Sequence, residues 1–101
     1  MIKLTVLYGQ PTEPTSFEKY YSETHLPIAA KVQGISKLEL TKMLPNPDGS
    51  AGAYYRTADL YFANPEEMQK TLQSAEGKAM ADDLANFATG GVTILFGAIE
   101  K

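Results

Sequence analysis

An alternation of apolar and polar residues at the start of the chain predicts a β-strand over residues 2–8. Every second side chain of this segment is apolar, which is the period that strand side chains follow. The glycine and prolines over residues 9–14 then end the strand. The same alternation predicts strands over 35–44 and 53–62, and an apolar run predicts a last strand over 92–99. The side chains that share one face of the first strand are Ile2, Leu4, Val6 and Tyr8.

The segment after the first strand has the spacing of an amphipathic helix. Thr15 and Glu18 form the pattern of a capping box, which satisfies free amides at a helix start, so we expect the helix to begin here. Leu26 precedes a proline and is biased out of helical geometry, so the helix is expected to stop or kink at this point. A further turn is expected to restart with Pro27 at its first position.

A second helical segment lies between the third and fourth strands. Asn64 is its expected cap, Ser74 restarts or continues it, and the glycines at 90–91 end it. The element order is therefore βαββαβ, the ferredoxin-like split unit. This α+β fold has a four-stranded antiparallel sheet with both helices on one face. No linker or repeat divides the chain, so residues 1–101 are expected to form a single domain.

Composition narrows the classes of partner and chemistry. The formal net charge of −3 gives no electrostatic reason to approach nucleic acid or an anionic membrane, so neither is expected as a partner. The chain has no cysteine and one histidine, so we expect no thiol nucleophile, metal or cofactor. The first segment is too short and too alternating for a signal peptide, and no apolar stretch approaches the roughly 20 residues of a membrane span. A soluble, cytoplasmic protein is expected.

The first and last predicted strands are apolar on both faces. Leu7 lies opposite Val6, and Leu95 lies opposite Ile94 and Phe96. A chain of 101 residues that is 44% hydrophobic has more apolar surface than its own small core covers. The second face of the sheet is therefore not expected to meet water. We expect a homodimer in which two sheets pack face to face and close an apolar cavity.

The single histidine, His25, is the first candidate for chemistry because imidazole titrates near neutral pH. On a helix it shares a face with Tyr21 and Phe17, which would form one wall of a pocket. There His25 would remove a proton next to a carbonyl or from a phenol, while Tyr21 or Tyr20 donates a hydrogen bond to the developing oxyanion. The alternative is structural, with the imidazole capping carbonyls at a helix C-terminus and the tyrosines serving as core residues. The spacing leaves both interpretations open.

Polar side chains on the third strand are candidates for substrate contacts, whichever face lines the pocket. Asp59 would orient His25 as a general base, or it would pair with a lysine at the dimer rim. The carboxylates at 82–83 are adjacent and do not share a helix face, so we expect a solvated edge there. The full set of candidate substrate-binding residues is Phe17, Tyr20, Tyr54, Asp59, Tyr61 and Phe87.

Three blocks in order, IKLTVLY, FEKYYSETHLP and SAEGKAMADDLANFATGGVTILFG, carry a family resemblance. The chain resembles the EthD family of the dimeric α/β-barrel superfamily. The resemblance implies a homodimeric barrel and, in each subunit, a pocket between sheet and helices near the end of the first helix. The founding member is associated with bacterial degradation of ethyl tert-butyl ether beside a cytochrome P450 system. Superfamily relatives include cofactor-free monooxygenases, muconolactone isomerases and polyketide cyclases.

Three functional hypotheses follow. In the first, the protein binds an apolar molecule (aromatic, polyketide-like or xenobiotic) and carries out cofactor-free proton-transfer or oxidation chemistry with His25 and Tyr21. It would then be an oxidoreductase, a cyclase or an isomerase. In the second, it is a non-catalytic binding or accessory protein for a separate oxygenase, because no strong nucleophile, metal set or carboxylate pair is evident. The third, a purely structural oligomer, predicts a filled interior.

Overall fold

Four strands form one antiparallel sheet in the spatial order β2-β3-β1-β4. The computed structural model describes residues 1–100. The predicted ferredoxin-like βαββαβ architecture is confirmed, because the helical segments lie between β1 and β2 and between β3 and β4. The strands are β1 at Ile2–Gly9, β2 at Lys37–Lys42, β3 at Tyr54–Phe62 and β4 at Val92–Ala98.

The first helical segment begins earlier than predicted and has no capping box. Helix α1 spans Pro14–Tyr20, and its N-cap residue, Glu13, makes no side-chain cap hydrogen bond. Proline at the first helical position is pre-set for helix geometry and has no amide to satisfy, so the start needs no further cap. Glu18 is used elsewhere, since its carboxylate accepts hydrogen bonds from Arg56 of β3.

Of the predicted stop or kink before Pro27, the stop is wrong, whereas the predicted further turn is present with the proline near its start. A π-helical turn, Tyr21–His25, follows α1 directly, and helix α2 continues over Leu26–Ala30. The amide of Leu26 bonds to the carbonyl of Tyr21 five residues earlier, which is the wider spacing of a π-turn. The wider turn lets the helix pass the proline, which has no amide of its own. His25 therefore lies inside a continuous helical segment and not at its C-terminus.

The second helical segment follows its predicted caps. Helix α3 spans Pro65–Gln73, and the side chain of Asn64 accepts the Glu67 amide at 2.8 Å. Ser74 restarts the segment, because its hydroxyl accepts the Gly77 amide at 3.0 Å at the start of α4. The segment ends before the predicted glycines. Helix α4 is Ala75–Asp83, followed by a 3₁₀ turn at Leu84–Asn86.

The two faces of the sheet differ in polarity. Leu4, Val6 and Leu60 face the helices and form the buried core with their neighbours. The opposite face carries ion pairs, including Lys3 with Asp59, so it is more polar than the sequence indicated. The reason is alternation: most polar residues of β1, β2 and β3 fall on that side, whereas Arg56 faces the helices and pairs with Glu18. Within residues 1–100, no helix is long and apolar enough to cross a membrane.

Candidate functional site

A cavity of about 200 Å³ lies between the helix-facing side of the sheet and the helices. Its walls come from all four strands, from the first helical segment and from α4. Of the 18 residues that line it, 15 are apolar and the other three are Tyr8, Tyr21 and His25. The interior is thus not filled, and a few polar groups among many apolar ones are typical of a small-molecule site.

The imidazole of His25 is held by a buried carboxylate. His25 and Asp83 are each 5% exposed, and Nδ1 lies 2.9 Å from Oδ2 of Asp83. The other oxygen of Asp83, Oδ1, accepts hydrogen bonds from the Tyr20 hydroxyl at 2.6 Å and from the Asn86 amide at 3.0 Å. Asp83 therefore joins three elements: α1, the π-turn and the 3₁₀ turn.

The pKa of Asp83 follows from these contacts. Burial alone would raise it, but hydrogen bonds from Tyr20, Asn86 and His25 together outweigh burial and hold the pKa below its usual value. The side chain is thus a carboxylate at neutral pH. The expectation that Asp83 belongs to a solvated edge is wrong, and only its neighbour Asp82 is exposed.

An aromatic cluster surrounds the imidazole. The Phe87 ring lies 4.7 Å from His25, and the Tyr21 ring stacks on His25 at 5.7 Å, measured between ring centroids. Phe17 stacks on the other side of this cluster, 5.6 Å from Tyr21. Tyr21 and His25 line the cavity, whereas Phe17, Tyr20 and Phe87 pack behind it. The last three therefore support the wall rather than forming it.

The candidates on β3 are not brought to this cavity. Ala58 and Leu60 are the β3 residues that line it, so alternation places Asp59 and Tyr61 on the opposite face. Asp59 does not orient His25. It accepts the Thr5 hydroxyl at 2.6 Å and lies 3.8 Å from Nζ of Lys3, which is the predicted pairing with a lysine.

Tyr61 and Tyr54 have other surroundings. The Tyr61 hydroxyl donates to Glu39, and this hydrogen bond raises the pKa of Tyr61 to about 12. Tyr54 lies at the start of β3, opposite Gly9, and its side chain is exposed. Neither tyrosine lines the His25 cavity, so the structure does not bring them together with His25.

Two residues of the site were missed from the sequence. Tyr8 ends the buried face of β1 and lines the cavity, and burial raises its pKa far enough that the phenol stays protonated. The signal in the sequence is a tyrosine at the end of a strand face whose other residues are aliphatic. A buried tyrosine hydroxyl usually requires a hydrogen-bond partner. For Asp83 the signal is its position three residues after Met80 and four before Phe87, within the apolar stripe of the helix.

Among residues 1–100, no three histidine, cysteine, aspartate or glutamate side chains are grouped so that they could hold a metal ion. The described polar atoms of the cavity are instead one imidazole and two phenols. Such groups accept, donate and transfer protons. The arrangement is suited to proton chemistry on a bound apolar molecule.

The fold and the cavity together define a ferredoxin-like α+β domain with a carboxylate-held histidine on its internal wall. The family model described as the EthD domain matches residues 9–91, and the chain belongs to the EthD family. A relative from Rhodococcus erythropolis, an uncharacterized 11.0 kDa protein of the thcB–thcC intergenic region, is 35% identical over 96 residues. That match covers 95% of this chain and 92% of the relative.

Solved structures agree with this assignment. An EthD family protein from Bacillus halodurans C-125 superposes with a TM-score of 0.92 at 30% identity, over 99% of each chain. Two more distant neighbours share the fold alone. A dimeric ferredoxin-like protein of unknown function from Bacteroides fragilis has a TM-score of 0.68 at 16% identity, covering 97% of this chain and 95% of its own. SnoaB, a cofactor-independent oxygenase from Streptomyces nogalater, has a TM-score of 0.67 at 14% identity, covering 99% and 93%.

Proposed function

We propose that this EthD family protein binds an apolar small molecule in the cavity and carries out cofactor-free proton-transfer or oxidation chemistry with His25 as general base. The observation that carries the proposal is a single buried histidine, held by a carboxylate, on the wall of an otherwise apolar cavity. A base in such a site removes a proton from a substrate whose other atoms are shielded from water. Tyr21, beside the imidazole, is the proposed donor to the developing oxyanion.

The relationship to a cofactor-independent oxygenase supports the class of chemistry but does not select the reaction. Two reaction types fit the same geometry. In an isomerase, the proton taken by His25 returns to another carbon of the substrate. In a cyclase, the carbanion attacks a carbonyl carbon of the same molecule, and the proton returns to the alkoxide oxygen that this attack leaves. In an oxygenase, the carbanion or phenolate formed by His25 reacts with dioxygen, which is then the co-substrate. Both begin with the same proton abstraction.

Replacing His25 by glutamine is expected to lower turnover by about 10²-fold or more, which is the usual contribution of a general base. Glutamine can still donate a hydrogen bond to Asp83 but accepts no proton at neutral pH. Product formation is measured by mass spectrometry over a panel of phenols and enones, with and without dioxygen. Tyr54→Phe, at an exposed position outside the cavity, is the matched control.

Unchanged turnover in the glutamine variant would remove His25 from the mechanism. A ligand that copurifies and is recovered chemically unchanged after long incubation with the wild-type protein would favour the accessory-protein hypothesis instead. In that case the cavity binds and delivers its ligand to a separate oxygenase.

We also propose that the active form is a homodimer. Every residue of the edge strand β4 is exposed in the single chain, including Leu95 on one face and Phe96 on the other. Exposed apolar edge strands are usually covered, and a structural neighbour of the same fold is described as dimeric. The proposed contact uses the face opposite the helices, where the charges of Lys3 and Asp59 are already paired.

Light scattering is expected to give twice the chain mass of 11.0 kDa for the wild-type protein. Leu95→Glu places an unpaired charge in the proposed contact and is expected to give monomers. Phe96→Glu, one residue further and on the helix side of the sheet, is the control and should leave the dimer intact. A wild-type monomer would disprove the dimer, and dissociation by Phe96→Glu alone would move the contact to the other face.

A further inference from the structure

We infer that Asp83 fixes the neutral form of the His25 ring in the tautomer with its proton on Nδ1, and that the cavity therefore selects a ligand of one or two rings whose phenolic or enolic hydroxyl donates to Nε2. The inference rests on the proposed function, because it names the substrate class of the same site. Nothing in the family assignment or in the relatives specifies a hydroxyl on the ligand.

The tautomer follows from the hydrogen bonds of Asp83. An ionised carboxylate accepts hydrogen bonds and donates none. Since Oδ2 of Asp83 lies 2.9 Å from Nδ1 of His25, the hydrogen atom between them belongs to Nδ1. A neutral imidazole carries one proton, so Nε2 is left with a free lone pair.

Nε2 opens onto the cavity. Within residues 1–100, every buried side-chain nitrogen or oxygen that water cannot reach has a hydrogen-bond partner. The only hydrogen bond of the His25 ring in that part of the chain is the one that Nδ1 makes with Asp83, so Nε2 must border a space that water can reach. His25 is 5% exposed and lines the cavity, which identifies the space.

A ligand hydroxyl matches this end of the cavity. Its hydrogen satisfies Nε2, and its oxygen accepts from Tyr8, which also lines the cavity. Measured between ring centroids, Tyr8 lies 5.8 Å from Tyr21, and Tyr21 lies 5.7 Å from His25, so the three side chains are successive neighbours on the cavity wall. A hydrocarbon or an ether has no hydrogen to give and would leave the lone pair of Nε2 unsatisfied when it displaces water.

The volume limits the ligand to a small ring system. An engineered apolar cavity of about 150 Å³ holds one benzene molecule. The cavity of about 200 Å³ between sheet and helices is somewhat larger and is also apolar over most of its wall. It therefore suits one ring with substituents or two fused rings.

The tautomer can be read directly because the chain has one histidine, so ¹⁵N-histidine labelling gives a single pair of ring signals. At a pH where these signals report the neutral ring, we expect Nδ1 in the protonated range and Nε2 in the unprotonated range. Asp83→Asn is expected to reverse this pattern. Its amide oxygen stays on the side where Tyr20 and Asn86 donate, which turns the amide NH₂ toward Nδ1. Asp82→Asn, with the same change in charge at an exposed site, should match the wild type.

The ligand class is tested with 2-naphthol and naphthalene, which differ by the hydroxyl alone. We expect the wild-type protein to bind 2-naphthol at least about tenfold more tightly, equivalent to about 1.4 kcal/mol. In Asp83→Asn the preference should fall to about threefold or less, and in Asp82→Asn it should persist. Titration calorimetry measures both affinities.

An Nε2-protonated ring in the wild-type protein, equal affinity for the two probes, or no binding of 2-naphthol would each overturn the inference. These outcomes are separable from failure of the proposed function. Selective binding of 2-naphthol with no turnover of any hydroxylated substrate would defeat the catalytic proposal and leave the ligand class standing. Turnover of a substrate without a hydroxyl that is lost in His25→Gln would support the catalytic proposal and defeat the proposed ligand class.

Discussion

Replacement of Asp83 by alanine is expected to lower the free energy of unfolding at pH 7 by about 3 kcal/mol. The carboxylate is buried and accepts hydrogen bonds from Tyr20, His25 and Asn86. Alanine removes the acceptor for all three donors and leaves a small void beside the imidazole. Chemical denaturation measures the change, and Asp82→Ala, at the exposed neighbouring carboxylate, should change the stability by less than about 0.5 kcal/mol.

The effect of Asp83 should depend on pH in one direction. Burial works against its ionisation, but the three hydrogen bonds outweigh burial, so its pKa in the folded protein is lower than in the unfolded chain. A depressed carboxyl pKa contributes stability above the unfolded value of about 3.9, and this contribution is lost as the pH falls through the folded value. The difference in the free energy of unfolding between the wild type and Asp83→Ala should therefore be largest at pH 7 and decrease below about pH 4. A difference that grows on acidification would contradict this account.

Replacement of Gly9 or Gly90 by alanine is expected to destabilise the protein by about 3 kcal/mol, at the upper end of overpacking effects. A Cβ atom on Gly9 would lie 2.2 Å from the Gly90 carbonyl oxygen, and one on Gly90 would lie 2.2 Å from the Gln10 carbonyl oxygen. Both obstacles are backbone atoms, so no side-chain rotation relieves the clash. This contact joins the end of β1 to the turn before β4, next to Tyr8.

Gly52→Ala is the matched control for these variants. Gly52 lies in the loop before β3, and a Cβ atom there would make only ordinary contacts, at 3.6 Å and 3.9 Å. Its replacement should leave the thermal midpoint nearly unchanged, whereas either clashing variant should lower it clearly. An equal response at all three positions would mean that the close approach of the two chain segments does not limit stability.

The architecture was largely predictable from the sequence because its signals are local. The period-two patterns place the first three strands and an apolar run places the fourth, and Asn64 and Ser74 cap the helices that they were predicted to cap. The local signals failed where contacts with the rest of the structure, rather than neighbours in the sequence, decide the conformation. Glu18 did not form a capping box, because its carboxylate pairs with Arg56, which lies 38 residues away in the sequence. The proline after His25 did not end the helix, because the π-turn accommodates it.

The site was only half predictable. His25 and Tyr21 stood out by residue type and helical spacing, and both line the cavity. Asp59 was the candidate holder of His25 because it interrupts a strand, but strand alternation turns it to the other face. Asp83 was taken for a surface residue because it is adjacent to a second aspartate. Rotation of α4 about its axis decides which of the two carboxylates is buried.

The sequence by itself determined the order and approximate bounds of the strands, the caps of α3 and α4, and the single histidine beside aromatic residues. Those features depend on side-chain period and on hydrogen bonds within a few residues. Only the tertiary structure decided that Asp83 meets His25 across 58 residues, that Tyr8 joins them at the cavity, and that the outer face of the sheet is polar. These outcomes depend on strand register and helix rotation, which the packing of the whole chain sets and which no local pattern encodes.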